Sequence, residues 1–146
     1  MDNKISSKKQ VSDLIPYYSG ENETYVFLQK RGVDVKYQPG WFGLFGGKSK
    51  NEETPEKVVV REIKEELSID ISDHTHFCHY EFYDAFVDTF IMNVTKDFQD
   101  IIDIKEGQYG KFFTEKEMYE EKMLSLRSKI ILQDFFNKMK QSNISI

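Results

Sequence analysis

The segment Gly46–Ile69 reads GGKSKNEETPEKVVVREIKEELSI and sets Glu52, Glu53, Glu56, Glu62, Glu65 and Glu66 beside a glycine pair. Thr54-Pro55 is a helix-start signal: a capping hydroxyl precedes a proline at the first helical position, and Glu56 suits the first turn. The helix is expected to run to about Leu67. At about 100° per residue, Val59, Val60, Ile63 and Leu67 share an apolar stripe that should pack on a sheet. Glu62, Glu65 and Glu66 gather on the adjoining stripe.

Carboxylates three and four residues apart repel, weakening a helix by a few tenths of a kcal/mol per pair, so some cation is expected nearby. Arg61 and Lys64 could supply it, which makes the segment an ordinary solvated, mixed-charge face. A divalent metal is the other reading. All-oxygen ligands select a hard cation such as Mg²⁺ or Mn²⁺ over zinc, and Mg²⁺ commonly bridges carboxylates to substrate phosphates. Gly46-Gly47 could bring bare backbone close to a ligand and offer a carbonyl to the same ion, or could form a simple tight turn.

The rest of the chain bounds these readings. With 146 residues, 39% apolar composition and 21 aromatics, it is the size of one ordinary domain with enough apolar material for a packed core, and residues 1–146 are read as a single domain. The start, MDNKISSKKQ, is polar with no apolar run behind it, and no segment has the uninterrupted apolar length of a membrane span. One cysteine, Cys78, allows no internal disulfide and fits a reducing compartment, so a soluble cytoplasmic protein is expected. A net charge of −5 disfavours a nucleic-acid polymer but allows a polyphosphate ligand bridged by metal cations.

Val11–Tyr18 and Thr24–Lys30 read as strands of a hairpin around the turn SGENE. Arg31–Gly40 reads as a loop long enough to shape a pocket, and WFGLF as a short extended entry to Gly46-Gly47. Residues His76–Thr95 are expected to form two strands broken near Asp84-Ala85, and Gly110–Thr114 another. Helices are expected from Glu115 and over Ser128–Lys140, where Ile131, Leu132, Phe135, Phe136 and Met139 suit a face packed on a sheet.

Taken together, the opening segment resembles the signature of the Nudix hydrolases. That signature is glycine, five residues, glutamate, seven residues, Arg-Glu, an aliphatic, any residue, Glu-Glu, any residue, glycine, an aliphatic. Here it is Gly47, Glu53, Arg61-Glu62, Ile63, Glu65-Glu66, Ser68 and Ile69, with every charged position matched and Ser68 in place of the family glycine. Phe45 stands where many relatives have proline. FLQKR at Phe27–Arg31 resembles the family strand ending in arginine, and KEGQYGKFF at Lys105–Phe113 its later loop and strand. The resemblance covers about Val11–Phe113 and implies an α/β Nudix fold, a mixed β-sheet sandwiched between α-helices.

The same resemblance implies metal-assisted hydrolysis of a nucleoside diphosphate linked to another group, with Mg²⁺ or Mn²⁺ as cofactor. Glu62, Glu65 and Glu66 become the expected ligands, joined by the Gly47 carbonyl and Glu106, and one glutamate acts as general base or orients the water. Arg61 is expected to orient a glutamate, Glu53 first, through a charge-assisted hydrogen bond. Arg31, Gly46 and Lys48 are candidate phosphate contacts, as is Lys50; Arg31 is the strongest because the family pattern covers it, whereas a solvated surface is the better account of any one lysine. Trp41 and Phe42, like Tyr80 and Tyr83, could stack on a base or pack in the core. His74, His76 and Cys78 alternate on a strand, but nothing supplies a fourth zinc ligand.

No coenzyme A, NADH or ADP-ribose subfamily marker is found. The short chain resembles the MutT-type enzymes that cleave a nucleoside triphosphate, including oxidised dNTPs, to monophosphate and pyrophosphate. ADP-ribose or a nucleotide sugar is the alternative substrate, and a non-catalytic nucleotide sensor or an interaction domain with a merely solvated acidic helix are the rival readings. The partner is a small nucleotide rather than a polymer or a membrane, and the protein is read as a monomer or homodimer.

Overall fold

A computed structural model of the protein describes residues 8–144; the opening MDNKISS, part of the polar start noted above, lies outside the described residues. Strand β1 (Lys9–Ser19) turns through Gly20, whose N–H donates to the Glu23 carbonyl at 2.8 Å, into β2 (Thr24–Lys30). The expected hairpin is therefore formed, with Tyr17 opposite Val26 and Ser19 opposite Thr24. WFGLF supplies two short strands, β3 (Phe42–Gly43) and β4 (Phe45–Lys48), the latter running through both glycines. Helix α1 (Pro55–Leu67) follows, then β5 (Thr75–Glu81) and β6 (Ala85–Asn93) with their break where it was expected. A short α2 (Phe98–Ile101), not anticipated, precedes β7 (Tyr109–Phe113), α3 (Glu115–Glu120) and α4 (Leu126–Ile144).

The strands form one mixed sheet ordered β3-β2-β1-β6-β5, with β4 added to β1 and β7 to β2. Its long parallel pair is β1 with β6, from Lys9 opposite Ala85 to Tyr17 opposite Asn93. On its other edge β1 changes partner. Val11 to Leu14 pair with β4, and Tyr17 to Ser19 pair with β2, so the sheet divides between β4 and the β2 group. A cleft can form at that division without removing any backbone hydrogen bond.

Alternation along β1 assigns the two faces. Leu14 packs with Phe27, Phe45 and Phe90 beneath Val59, Ile63 and Leu67 of α1, and Phe98 of α2 closes this core with its ring edge-on to Phe27 at 5.2 Å. Ile15 faces the other way, with Val26, Leu28, Val87 and Phe113 beneath Ile131, Leu132, Phe135 and Phe136 of α4. Burying one such large apolar side chain is worth about 1.5–3 kcal/mol, so the two apolar stripes are sufficient reason for the α/β/α layering. Val58 also joins the α1 core while Val60 is only partly buried, a one-residue rotation of the expected stripe.

Among the described residues no helix is long and apolar enough to cross a membrane.

Candidate active site

Helix α1 is held at both ends in ways that position its carboxylates. At the N-terminus the Thr54 hydroxyl accepts the Lys57 N–H at 3.3 Å. At the C-terminus Ser68 takes a left-handed conformation, φ 61° and ψ 31°, and its N–H donates to Lys64 O. Serine thus does what glycine does more cheaply at a helix end. Beyond it, the N–H groups of Asp103 and Lys105 donate to the carbonyls of Leu67 and Glu66 at 3.1 and 2.9 Å, which ties the Glu106 loop to the last turn of α1.

Arg61 organises the exposed side of the cluster. Its Nε and Nη2 donate to the two carboxylate oxygens of Glu53, each at 2.8 Å. Nη1 donates to Glu62 at 2.9 Å and, more weakly, to Glu65 at 3.4 Å, while Nη2 also reaches the Lys48 carbonyl at 3.0 Å. The fork suits this task because a guanidinium offers five N–H donors in one plane. Hydrogen bonds from Arg61, helped by the Lys50 N–H, hold the Glu53 carboxyl down at about 2 from its ordinary 4.5. Glu65 is the freest of the group, its side chain 48% exposed against 15% for Glu62.

Glu66 lies on the buried side, 8% exposed, and accepts the Gly46 N–H at 3.1 Å. Burial, then the charge of Glu62, push its carboxyl up from 4.5 to about 8; Glu106 adds to this, and the Gly46 bond and Arg31 oppose it. A carboxyl in that state lacks a cation. The glycines are needed for close approach: a Cβ on Gly46, at φ 146°, would meet Ser12 O at 2.1 Å, and one on Gly47 would lie 2.4 Å from Glu62 Cδ. Among the described residues no three acidic, His or Cys side chains already converge as a metal cage. Glu62 and Glu65 point to Arg61 instead. The donor set nonetheless fits a hard divalent cation: it is all oxygen, clustered, and contains one buried carboxyl short of positive charge.

Across the glycine pair lies a cleft of about 430 Å³ between the sheet and α4, within the range of small-ligand sites. Arg31, Gly46, Gly47 and Lys48 line it, together with Lys9 and Arg127. Arg31 is steadied by its loop, donating from Nε to the Tyr37 carbonyl at 3.1 Å and standing 5.7 Å from the Tyr37 ring centre.

Of the two alternatives for Phe42, base stacking and core packing, the second is taken: it is 6% exposed and packs edge-on to Phe113 at 4.9 Å. Trp41 is not among the cleft-lining residues, its carbonyl accepting the Arg31 N–H at 2.7 Å. The aromatic that does line the cleft is Tyr37, with Gln38 beside it. His74 pairs with Glu56 at 3.0 Å and His76 with Asp88 at 2.8 Å, so these histidines and Cys78 do not form a shared zinc-type site.

Asp13 also lines the cleft and was not singled out from the sequence. Burial, with a smaller contribution from Asp88, pushes its carboxyl up from 3.8 to about 7 against the lowering effect of Thr89. The available signal was an acid at an otherwise apolar position of β1, in step with Val11, Ile15 and Tyr17.

The NUDIX domain family model matches residues 8–134. The chain belongs to the NUDIX family. No curated protein matches it. Solved NUDIX structures share its fold at low identity. A mutT/nudix family protein from Listeria innocua is 17% identical with TM-score 0.72, covering 94% of this chain and 98% of that one. A MutT from work on Aliivibrio salmonicida and Vibrio cholerae is 20% identical with TM-score 0.70, covering 90% and 98%. The NUDIX domain of Shewanella oneidensis NrtR, solved with ADP ribose, is 12% identical with TM-score 0.69, covering 90% and 88%. As a NUDIX protein with the box carboxylates in place, the chain is a pyrophosphohydrolase acting on phosphoanhydride bonds.

Proposed function

We propose that this NUDIX protein cleaves a nucleoside triphosphate, an oxidised dNTP included, to the monophosphate and pyrophosphate with Mg²⁺ or Mn²⁺. The observation that carries the reading is the junction at Gly46-Gly47, where the complete set of box carboxylates meets a basic-rimmed cleft of nucleotide size. Glu62, Glu65, Glu66, the Gly47 carbonyl and Glu106 would hold the cation. When bound, it would neutralise phosphate oxygens and make a water easier to deprotonate.

The chain's own residues supply the rest. Arg31 and Lys48 draw the phosphates to the cleft rim, where Lys9 adds charge. The Gly46 N–H fixes one oxygen of Glu66, and Arg61 fixes Glu53 and Glu62. Glu65, exposed and only weakly held by Arg61, is the box carboxylate least committed within the protein, so besides helping to hold the cation it can orient or deprotonate an incoming water. Glu53, held ionised by Arg61, serves the geometry rather than the proton transfer. A nucleotide sensor that has given up catalysis has no use for this complete set.

The test is incubation of the protein and of Glu65→Gln with Mg²⁺ and nucleoside triphosphates, oxidised dGTP, ADP-ribose and nucleotide sugars, with products resolved chromatographically. Metal-dependent release of a monophosphate and pyrophosphate, lost in the variant, is expected. Cleavage confined to ADP-ribose or a nucleotide sugar would move the substrate assignment. Tight binding without turnover on any compound would replace the enzyme with a sensor.

A further inference from the structure

Glu106 and Arg31 belong to different segments, yet both lie within electrostatic reach of the buried Glu66 carboxyl, the first opposing its charge and the second favouring it. Glu106 is exposed on the loop between α2 and β7, and Arg31 follows the last residue of β2. Whatever joins these two segments sets how a cation and its phosphates are presented to each other. At its near end the Glu106 loop is fastened to the last turn of α1, where the Asp103 and Lys105 N–H groups donate to the Leu67 and Glu66 carbonyls.

Its far end is fastened to β2 by Gln108. The Gln108 N–H donates to the Lys30 carbonyl at 2.8 Å. Pairing of β7 with β2 stops at Tyr109 opposite Lys30, and past that point a side chain takes over: Gln108 Nε2 donates to the Arg31 carbonyl at 2.9 Å. Arg31 is thereby held at three atoms, since its N–H donates to the Trp41 carbonyl at 2.7 Å and its Nε to the Tyr37 carbonyl at 3.1 Å. Nη1 and Nη2 of its guanidinium are left to meet an anion.

We propose that Gln108 is a positioning residue that couples the Glu106 loop to Arg31, so that one neutral side chain outside the reacting groups sets both the cation affinity and the phosphate affinity of the site. The inference rests on the reading of Glu106 as a cation ligand and Arg31 as a phosphate contact. Its physical basis is pre-organisation: segments already held in their bound placement lose less freedom when the ligand arrives. Groups that touch the ligating residues rather than the ligand tune a site in this way without entering its chemistry. Because Gln108 is exposed, losing its side-chain bond is felt at the site more than in global stability.

The experiment uses the full chain and two probes without nucleotide: Mn²⁺, whose free fraction is counted by electron paramagnetic resonance, and inorganic pyrophosphate in chelator, followed by calorimetry. Gln108→Met keeps the reach of the side chain and removes its N–H. It should weaken each probe about three- to tenfold, the worth of one neutral hydrogen bond, with the melting temperature nearly unchanged. Glu106→Gln should weaken Mn²⁺ alone, and Gln108→Met added to it should cost Mn²⁺ binding nothing more, because the two act through one path. An unaltered affinity for either probe in Gln108→Met, or additive losses of Mn²⁺ affinity in the double variant, overturns the proposal. Gln108→Asn, too short to reach the Arg31 carbonyl, carries the same comparison if the first variant does not fold. The expected pattern for both probes in a protein that hydrolyses no nucleotide would uphold Gln108 and refute the hydrolase reading; hydrolysis with both affinities untouched in Gln108→Met would do the reverse.

Discussion

Arg61 donates to Glu53, Glu62 and Glu65 and to the Lys48 carbonyl, so one guanidinium ties the loop before α1 to three positions of the box. A lysine keeps the charge but cannot span these acceptors, because an ammonium is a point donor without a planar fork. Arg61→Lys is therefore expected to lower kcat about ten- to a hundredfold, the usual cost of losing a group that orients others, with KM little changed. Thermal stability should move little, since these partners are partly solvated and such pairs contribute weakly. Steady-state kinetics beside a melting curve checks both, and a rise in KM at constant kcat would place Arg61 on the substrate instead. The Arg61–Glu53 contact was legible because it joins neighbours in a spaced motif. The fate of Phe42 was not. Whether an aromatic lines a cleft or fills a core depends on which strand face it occupies and on what covers that face.

At the scale of elements, α1 was legible end to end because caps and apolar periodicity are local. Thr54 and Leu67 bound it as expected, and Ser68 shows how the departure from the family glycine is accommodated: the serine accepts φ 61°. A side chain in that region costs about 1 kcal/mol, so Ser68→Gly is expected to raise the melting temperature by about 2–4 °C, less the added freedom of the unfolded chain. Unchanged activity with no rise in melting temperature would mean that the serine side chain compensates its own strain. The four-residue α2 escaped notice since one turn has no periodicity to read; Phe98, anchored edge-on to Phe27, is what holds it. The last helix lies where it was expected but is longer at both ends, running Leu126–Ile144 rather than Ser128–Lys140, and at its start the Ser125 hydroxyl accepts the Ser128 N–H at 3.1 Å.

Across the whole molecule the carboxyls oppose one another in their response to pH. Glu66 and Asp13 have folded values of about 8 and about 7, above their ordinary 4.5 and 3.8, so the native state holds protons that the unfolded chain has released. Their contribution to stability is greatest at low pH and falls as pH rises through those windows; Glu53, at about 2, works the other way and loses its contribution as pH falls below 4.5. Metal-free protein is thus expected to melt at progressively lower temperature from pH 5 to pH 8, with a shallower slope in Glu66→Gln. Mg²⁺ should raise the midpoint more at pH 8 than at pH 5, because a cation binds the ionised carboxylates. Melting curves over pH, with chelator and with Mg²⁺, test this; a flat metal-free profile would mean that Glu66 is ionised without a cation. The sequence by itself determined the box, its helix, the two apolar stripes and the α/β class, because each is written in residues close together along the chain. Only the tertiary structure decided that β1 pairs with β6, that β4 and β2 part along it to open a cleft, and that Asp13 and Tyr37 line it rather than Phe42. Those outcomes depend on contacts between distant segments, where the same residue can face core, ligand or solvent according to its register in the sheet.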